Sequence, residues 1–363
     1  MSKEEVLKAI DLEEPDEVPF FDFLYENKSF ENILGRKIIS ITPEIIVEGH
    51  KALGLDMICI VAVPPEGWVN RRIDPDIEVD EWDIKYRVTS DLKTLPWFLE
   101  GPIKKPEDLE EYEMPDPYAP GRLKNLKAIL EMVGDDMTVA ASFPLGGPLT
   151  AASFLTGFDT FLKHVIADPV FADRLLDLQT RYCLEIGKQY IDAGVEIIFM
   201  NEDLGDIHGP FLAPKILRER VIPYLKRLCE AFKKRRAKVL LHCDGNLNPI
   251  MEDLIGLSID GLHPLERKSS MDIAEIKSKY GDKICLIGNV DASLLLPLGS
   301  YEEIAKQIKE CIEIAAPGGG YIFASDHSIH PGIPGDKAKL LFHIAKNIGS
   351  MQRGNCKRGT QRL

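Results

Sequence analysis

Met57-Ile58-Cys59-Ile60-Val61-Ala62-Val63 is a continuous apolar run that ends at Pro64-Pro65, with no alternation between polar and apolar residues. Later runs of the same kind occupy residues 137–143, 196–200, 238–242, 261–265, 284–287 and 321–324. Strands that are apolar on both faces are typical of a parallel sheet covered by helices. These runs therefore predict an α/β fold in which parallel strands alternate with helices.

Helical periodicity separates several of these runs and covers residues 170–192, 213–235, 271–280 and 301–315. The seven apolar runs, together with an eighth near residues 18–21, approach the eight strands of a (β/α)8 TIM barrel. An open doubly wound sheet is the alternative architecture. The strand count favours the barrel.

The pattern changes between residues 68 and 117, where apolar residues alternate with polar ones before a proline-rich stretch. Such alternation is typical of antiparallel strands that have one solvent-facing side. We expect an insertion after the first barrel strand, within a single domain that spans residues 1–349. The basic and aperiodic residues 350–363 are predicted to form a disordered tail.

The composition excludes several classes of function. The 363 residues include 58 Asp and Glu against 44 Lys and Arg, a net charge of −14, which argues against a nucleic-acid partner. No apolar run approaches the roughly 20 residues of a membrane span, and the first residues lack the features of a signal peptide. Seven cysteines are too few for a disulfide scaffold, and most have apolar neighbours. We expect a cytoplasmic protein.

Polar residues follow the apolar runs at the strand ends where a parallel barrel carries its active site. Three of these ends, residues 201–208, 242–246 and 325–331, are dense in the carboxylate, imidazole and thiol groups that bind zinc. His242 and Asp244 are two residues apart on a strand, so both face one side and are able to bind a divalent metal, whereas Cys243 faces the other side.

Ordinary structural roles remain open at the same positions. Asp244-Gly245-Asn246 is also a common turn sequence, in which the glycine supplies a positive φ and the aspartate caps the next helix. A nucleophilic pair of Cys243 and His242 would require the turn to bend. Convergence of three such clusters at one mouth of a barrel favours a functional site over isolated turns.

Four strand-end segments, taken in this order, resemble the uroporphyrinogen decarboxylase superfamily, a (β/α)8 barrel family that includes cobalamin-dependent methyltransferases. The segments are Glu202-Asp203-Leu204-Gly205 with Gly209-Pro210, Leu241-His242-Cys243-Asp244-Gly245-Asn246, Ile287-Gly288-Asn289-Val290-Asp291 and Phe323-Ala324-Ser325-Asp326-His327-Ser328-Ile329.

The two branches of this superfamily imply different sites. True decarboxylases carry an N-terminal Arg-Gln-Ala-Gly-Arg segment that holds the substrate carboxylates, but residues 18–25 contain no arginine. Asp56 corresponds approximately to the central aspartate of the decarboxylases. His327 corresponds to their C-terminal histidine. Zinc-dependent methyltransferases use a His-x-Cys pair and a distant Cys, which correspond here to His242, Asp244 and His327.

The resemblance thus implies a methyltransferase that moves a methyl group between a small O- or N-methyl compound and a corrinoid (cobalamin) cofactor held by a partner protein, with the aid of Zn²⁺. The expected metal ligands are His242 and Asp244, with His327 or Glu202 as the third. Proton transfer or support of the ligands is expected from Asp203, His208, Asp326 and His327. Substrate contacts are expected from Asp56, Asn201, Asn246, Glu266 and Asn289.

Two alternatives remain open. A metal-free decarboxylase of the uroporphyrinogen type would need Arg71 and Arg72 to replace the missing arginines. A protein that binds a corrinoid or a small ligand without chemistry is disfavoured by the density of titratable groups at the strand ends. The sequence leaves the oligomeric state open, with a homodimer as one arrangement.

Overall fold

The structure is a computed structural model that describes residues 2–88 and 96–359. Its strands are β1 (Met57–Val61), β2 (Arg71–Asp74), β3 (Ile77–Val79), β4 (Lys85–Arg87), β5 (Trp97–Glu100), β6 (Thr138–Ser142), β7 (Ile197–Asn201), β8 (Gly205–Asp206), β9 (Gly209–Pro210), β10 (Lys238–His242), β11 (Gly261–His263), β12 (Cys285–Val290) and β13 (Tyr321–Ser325). Its α-helices are α1 (Ser2–Ile10), α2 (Asn27–Leu34), α3 (Pro43–Leu53), α4 (Asp108–Glu111), α5 (Lys124–Val133), α6 (Pro148–Thr156), α7 (Phe158–Ala167), α8 (Pro169–Asp192), α9 (Pro214–Arg220), α10 (Ile222–Lys234), α11 (Met251–Ile255), α12 (Ile273–Tyr280), α13 (Leu295–Leu298), α14 (Tyr301–Ala315) and α15 (Gly335–Gly359).

The main sheet has the strand order β1-β6-β7-β10-β11-β12-β13. Each of the predicted apolar runs forms one of these strands, and the pairings β6–β7, β7–β10, β11–β12 and β12–β13 are parallel. β6, β7, β12 and β13 are buried along almost their whole length, as strands covered on both faces must be. The prediction of a parallel α/β sheet is confirmed.

One compact unit consists of the described parts of Met1–Ile58, Glu131–Val139 and Asp260–Leu363. Within it, β12 pairs in parallel with β11 on one side and with β13 on the other. The amphipathic helices α14 and α15 pack against each other in this unit. The unit therefore carries its own layer of helices on its strands.

The eighth expected strand, near residues 18–21, is reduced to a single parallel bridge between Phe20 and Phe323. Two hydrogen bonds support this bridge, from Phe21 N to Phe323 O at 3.0 Å and from Phe323 N to Pro19 O at 2.9 Å. Pro19 has no N–H to donate, which shortens the ladder at this point.

The second compact unit is formed by Cys59–Leu130 and Ala140–Ile259, apart from residues 89–95, which lie outside the description. β7 lies between β6 and β10 in this unit, and both pairings are parallel. The helix expected over residues 213–235 is divided at Val221 into α9 and α10. Pro223 in the first turn of α10 explains the break, because proline cannot continue the hydrogen bonding of a preceding helix.

The predicted insertion is confirmed as a four-stranded antiparallel sheet in the order β2-β3-β4-β5. Glu81, between β3 and β4, forms an ion pair with Arg122. The two terminal guanidinium nitrogens of Arg122 donate to the carboxylate of Glu81 at 3.0 and 2.6 Å. Both side chains are buried. This bidentate pair fixes the insertion to the chain that follows it.

α15 begins at Gly335 and ends at Gly359, within the stretch 350–363 for which the sequence predicts a disordered tail. Residues 360–363 lie outside the description. Among the described helices, none combines the length and apolar character needed to cross a bilayer.

Candidate functional site

His242 and Asp244 lie together at the carboxyl end of β10. His242 is the last residue of the strand and is buried, and its Nε2 lies 3.6 Å from Oδ2 of the half-buried Asp244. The carbonyl oxygen of His242 accepts a hydrogen bond from Glu202 N at 2.9 Å, which fixes the backbone at this point. A nitrogen and an oxygen donor thus face each other at one strand end, as two ligands of a common ion would.

Cys243, between these two residues, is only 1% exposed. Its Sγ accepts a hydrogen bond from Leu204 N at 3.3 Å. Burial raises the pKa of this thiol well above its ordinary value, and the nearby carboxylate of Asp203 adds to the effect. Without a bound ion Cys243 is therefore a neutral thiol, which does not suit a nucleophile.

The carboxylate of Glu202 is turned toward the start of α6. It accepts hydrogen bonds from Thr150 N at 2.8 Å, Thr150 Oγ1 at 3.0 Å and Leu149 N at 3.2 Å. Gly147 makes this approach possible, because a Cβ there would lie 2.1 Å from Glu202 Oε2. Burial raises the pKa of Glu202 to about 8. These contacts give Glu202 a capping role at a helix N-terminus and occupy the oxygens that a metal would need.

The other expected residues of this unit differ in their exposure and hydrogen bonding. Asp203 is half-buried, and its N–H donates to Thr150 Oγ1 at 3.0 Å. His208 is exposed in the hairpin between β8 and β9. Asn201 Oδ1 accepts from Ser142 Oγ at 3.1 Å, and Asn246 Oδ1 accepts from Asn248 N at 3.2 Å.

Asp326 follows β13 in the other unit and is 1% exposed. Its two carboxylate oxygens accept hydrogen bonds from backbone groups, Oδ1 from Ala292 N at 2.8 Å and Oδ2 from Arg267 N at 3.3 Å. Burial nevertheless raises the pKa of Asp326 to about 7. A buried carboxyl group of this kind is held in a fixed orientation at a strand end.

His327 is half-buried, and its ring is oriented by the next residue in the chain. Nδ1 lies 2.8 Å from Ser328 Oγ, and the backbone N–H of His327 reaches Ser325 Oγ at 3.4 Å. Histidines that bind metals commonly have one ring nitrogen held in this way, so that the other is directed at the ion.

Asp22 is a carboxylate that the sequence reasoning missed. It is completely buried and accepts hydrogen bonds from both the backbone N–H and the hydroxyl of Ser325, each at 2.9 Å. Burial raises the pKa of Asp22 to about 7, and the charge of Asp326 acts in the same direction. Its signal in the sequence is a single acid inside the apolar stretch Phe20-Phe21-Asp22-Phe23-Leu24.

Three residues expected to contact substrate have partners within the protein. Asn289 is completely buried, and its Nδ2 donates to Leu265 O at 2.8 Å. Glu266 accepts from Ser269 Oγ and pairs with Lys268. Asp56 precedes β1 and accepts from Phe20 N at 2.8 Å. Asp56 thus lies at the amino end of its strand, whereas the expected site lies at carboxyl ends.

Known proteins resemble the chain in sequence and in structure. A family model described as Uroporphyrinogen decarboxylase (URO-D) matches residues 74–348. The Methylcobamide:CoM methyltransferase MtaA of Methanosarcina barkeri is 25% identical over 222 residues, which cover 61% of this chain and 62% of that protein. The uroporphyrinogen decarboxylase of Hordeum vulgare is 26% identical over 230 residues, which cover 63% of this chain and 64% of that protein.

A methyltransferase from Methanosarcina mazei has a similar structure, with a TM-score of 0.74 at 22% identity over 96% of this chain and 98% of that one. This likeness confirms the predicted fold class. The chain spans 62% and 64% of the lengths of the two curated relatives.

Proposed function

Because the chain belongs to the uroporphyrinogen decarboxylase (URO-D) family, we propose that it is an enzyme of the methyltransferase branch of that family. The proposed reaction moves a methyl group between a small O- or N-methyl compound and a corrinoid carried by a partner protein. Two relatives support this proposal, one named a methylcobamide:CoM methyltransferase and one a methyltransferase. The missing arginines in residues 18–25 also favour it over decarboxylation of a substrate with many carboxylates.

The pairing of His242 and Asp244 carries the proposal. Their donor atoms, 3.6 Å apart, fit a divalent ion bound by nitrogen and oxygen. The buried Cys243 thiol is neutral, and the carboxylate of Glu202 accepts hydrogen bonds from the start of α6. We therefore propose His327 as the third ligand. Zinc bound to such ligands supplies Lewis-acid polarisation of the oxygen or nitrogen that carries the methyl group.

The protein's own contribution is orientation and proton transfer. Ser328 holds one ring nitrogen of His327, which limits rotation of the imidazole. Asp326, fixed by two backbone N–H groups, is the proposed proton-transfer group, with Asp203 as a supporting carboxylate. We omit His208 because it is exposed. We also omit Asp56 and Asn289, whose side chains bond to the backbone, and assign no described residue to the corrinoid.

The decarboxylase alternative depends on Arg71 and Arg72. Both are exposed on β2, and both already have acidic partners: Arg71 pairs with Asp83 at 3.3 Å and Arg72 with Glu78 at 2.5 Å. Exposed pairs of this kind are weak, so the guanidiniums are able to exchange partners. Direct measurement of both reactions therefore separates the two functions.

The test combines two assays on the purified protein. Free cob(I)alamin is mixed with a panel of methyl ethers and methylamines, and formation of methylcobalamin is followed by absorbance; uroporphyrinogen is supplied in a parallel assay. We expect methylcobalamin with at least one donor, its loss in His242→Ala, and its retention in Cys243→Ala. Uroporphyrinogen turnover at an ordinary enzymatic rate, abolished by changing Arg71 and Arg72, would overturn the proposal.

A further inference from the structure

An N-terminal segment, Phe20–Tyr25, lies along the end of β13 and the loop that follows it. Its backbone bonds to both: Phe21 N donates to Phe323 O in β13, and Ile329 N in the loop donates to Phe23 O, each at 3.0 Å. In between, the Asp22 carboxylate accepts the N–H and the hydroxyl of Ser325. The segment therefore fixes the backbone on both sides of His327.

The side chains of the same two stretches form a chain of hydrogen bonds that ends at the imidazole. Tyr25 Oη lies 3.4 Å from Ser328 Oγ, and Ser328 Oγ lies 2.8 Å from His327 Nδ1. Ser328 is 2% exposed and Tyr25 is 40% exposed, so the chain runs from solvent to the buried serine and then to the ring. A serine hydroxyl oxygen has two lone pairs, so it can accept from the ring nitrogen and from the tyrosine hydroxyl at the same time.

We propose that Ser328 and Tyr25 are positioning residues that hold His327 in the tautomer with the proton on Nδ1. In this arrangement Ser328 Oγ accepts hydrogen bonds from both Nδ1–H of His327 and the hydroxyl of Tyr25, and Nε2 carries the lone pair. Nε2 is then the nitrogen with which His327 acts on the proposed ion. The inference rests on the proposed function only for that last role, because the tautomer itself is a property of the metal-free protein.

The first experiment measures the tautomer without metal or substrate. Metal-free protein with ¹⁵N-labelled histidine is studied by long-range ¹H–¹⁵N correlation at about pH 8.5, where a histidine of ordinary pKa is neutral. The His327 signals are assigned from their loss in His327→Gln. We expect the pattern of a ring protonated on Nδ1. A ring protonated on Nε2 overturns the inference.

Variants show whether the two hydroxyl groups cause this preference. Ser328→Ala should move the population toward the Nε2-protonated form, Ser328→Thr should restore the wild-type pattern, and Tyr25→Phe should have an intermediate effect. Ser29→Ala is the matched control, since Ser29 is a buried serine of the same unit whose hydroxyl has no hydrogen-bond partner among the described residues. An unchanged tautomer in Ser328→Ala overturns the inference.

The second experiment measures zinc affinity by competition with a chelator. Ser328→Ala should raise the zinc dissociation constant about tenfold, because the variant lacks the residue that orients a metal ligand. Ser328→Thr should leave the dissociation constant near the wild-type value. Equal zinc affinity in Ser328→Ala and wild type would contradict the positioning role. A wild-type protein that has the Nδ1-protonated ring but binds no zinc would overturn the proposed metal site instead.

Discussion

The carboxylate of Asp22 accepts both hydrogen bonds that Ser325 can donate, one from its backbone N–H and one from its hydroxyl, each at 2.9 Å. The two residues are 303 positions apart in the sequence. A buried carboxylate that takes two donors from one residue fixes both the backbone and the rotamer of that residue. The end of β13, and with it the position of His327, is thereby set by the N-terminal segment.

Asp22→Asn should change how stability depends on pH. The pKa of Asp22 is about 7 in the folded protein against 3.8 in the reference state, so the native state keeps a proton that the unfolded state releases. The stability that this proton contributes is complete below about pH 4 and is lost as the pH rises through 7. Relative to wild type, Asp22→Asn should gain roughly 2–4 kcal/mol between these limits.

Urea unfolding at several pH values measures this difference. Asp282→Asn, at an exposed carboxylate, is the control and should show no such trend. A difference between Asp22→Asn and wild type that stays constant from pH 4 to 8 would contradict the assignment.

Glu202→Ala should cost stability and leave the metal in place. The change removes the acceptor for Thr150 N, Thr150 Oγ1 and Leu149 N, and leaves buried donors unsatisfied. The free energy of unfolding should fall by roughly 3 kcal/mol. Glu202→Gln keeps one acceptor oxygen and should lose less. Loss of zinc without loss of stability would show that Glu202 is a ligand after all.

His242→Ala should reduce bound zinc strongly while the fold persists. His242 supplies a nitrogen donor next to Asp244, and no thiolate is present at Cys243 to replace it. Elemental analysis of the purified variant gives the zinc content, and circular dichroism reports the fold. Cys243→Ala is the neighbouring control and should keep zinc within a few-fold. Full occupancy in His242→Ala would remove His242 from the site.

Cys243 should resist alkylation in the native protein. The thiol is 1% exposed, and burial raises its pKa well above the ordinary value, so little thiolate is available to react. Iodoacetamide treatment near pH 8, followed by peptide mass spectrometry, should label Cys243 only after unfolding in urea. Rapid labelling of the native protein at this position would refute the buried, neutral thiol.

Arg122→Met should destabilise the protein by about 3–5 kcal/mol, because it leaves the buried carboxylate of Glu81 without its partner. Replacing both residues, as Glu81→Leu with Arg122→Met, should recover much of this loss. A double-mutant cycle by urea unfolding measures the coupling between them. The exposed pair of Arg71 and Asp83 is the control and should show a coupling under about 1 kcal/mol. Equal coupling in both pairs would contradict the anchoring role of Arg122.

The strands of the main sheet could be predicted because strands buried on both faces leave an apolar run in the sequence. The insertion was equally predictable from its alternation. Two local details could not be read in this way. The division of α9 from α10 depends on Pro223 within an otherwise regular helical pattern. The end of α15 at Gly359 is not marked by apolar periodicity in the sequence.

Within the candidate site, the pairing of His242 and Asp244 could be predicted from a local rule, because the two residues are two positions apart at the end of one strand. The role of Glu202 could not be predicted by such a local rule, because its partners Leu149 and Thr150 belong to a helix some fifty residues earlier. Asp22 was missed for the same reason. A side chain whose role depends on a distant partner resembles any other carboxylate in the sequence.

The distance between Asp22 and Ser325 also affects synthesis on the ribosome. Translation at roughly 5–20 residues per second leaves about 15–60 s between the emergence of the two residues, given their separation of 303 positions. During that time Phe20, Phe21 and Phe23 have left the ribosome and still lack β13, the strand against which their segment lies. Until β13 follows, this aromatic segment lacks the strand against which it lies, and a chaperone that binds exposed aromatic residues would protect it during that interval.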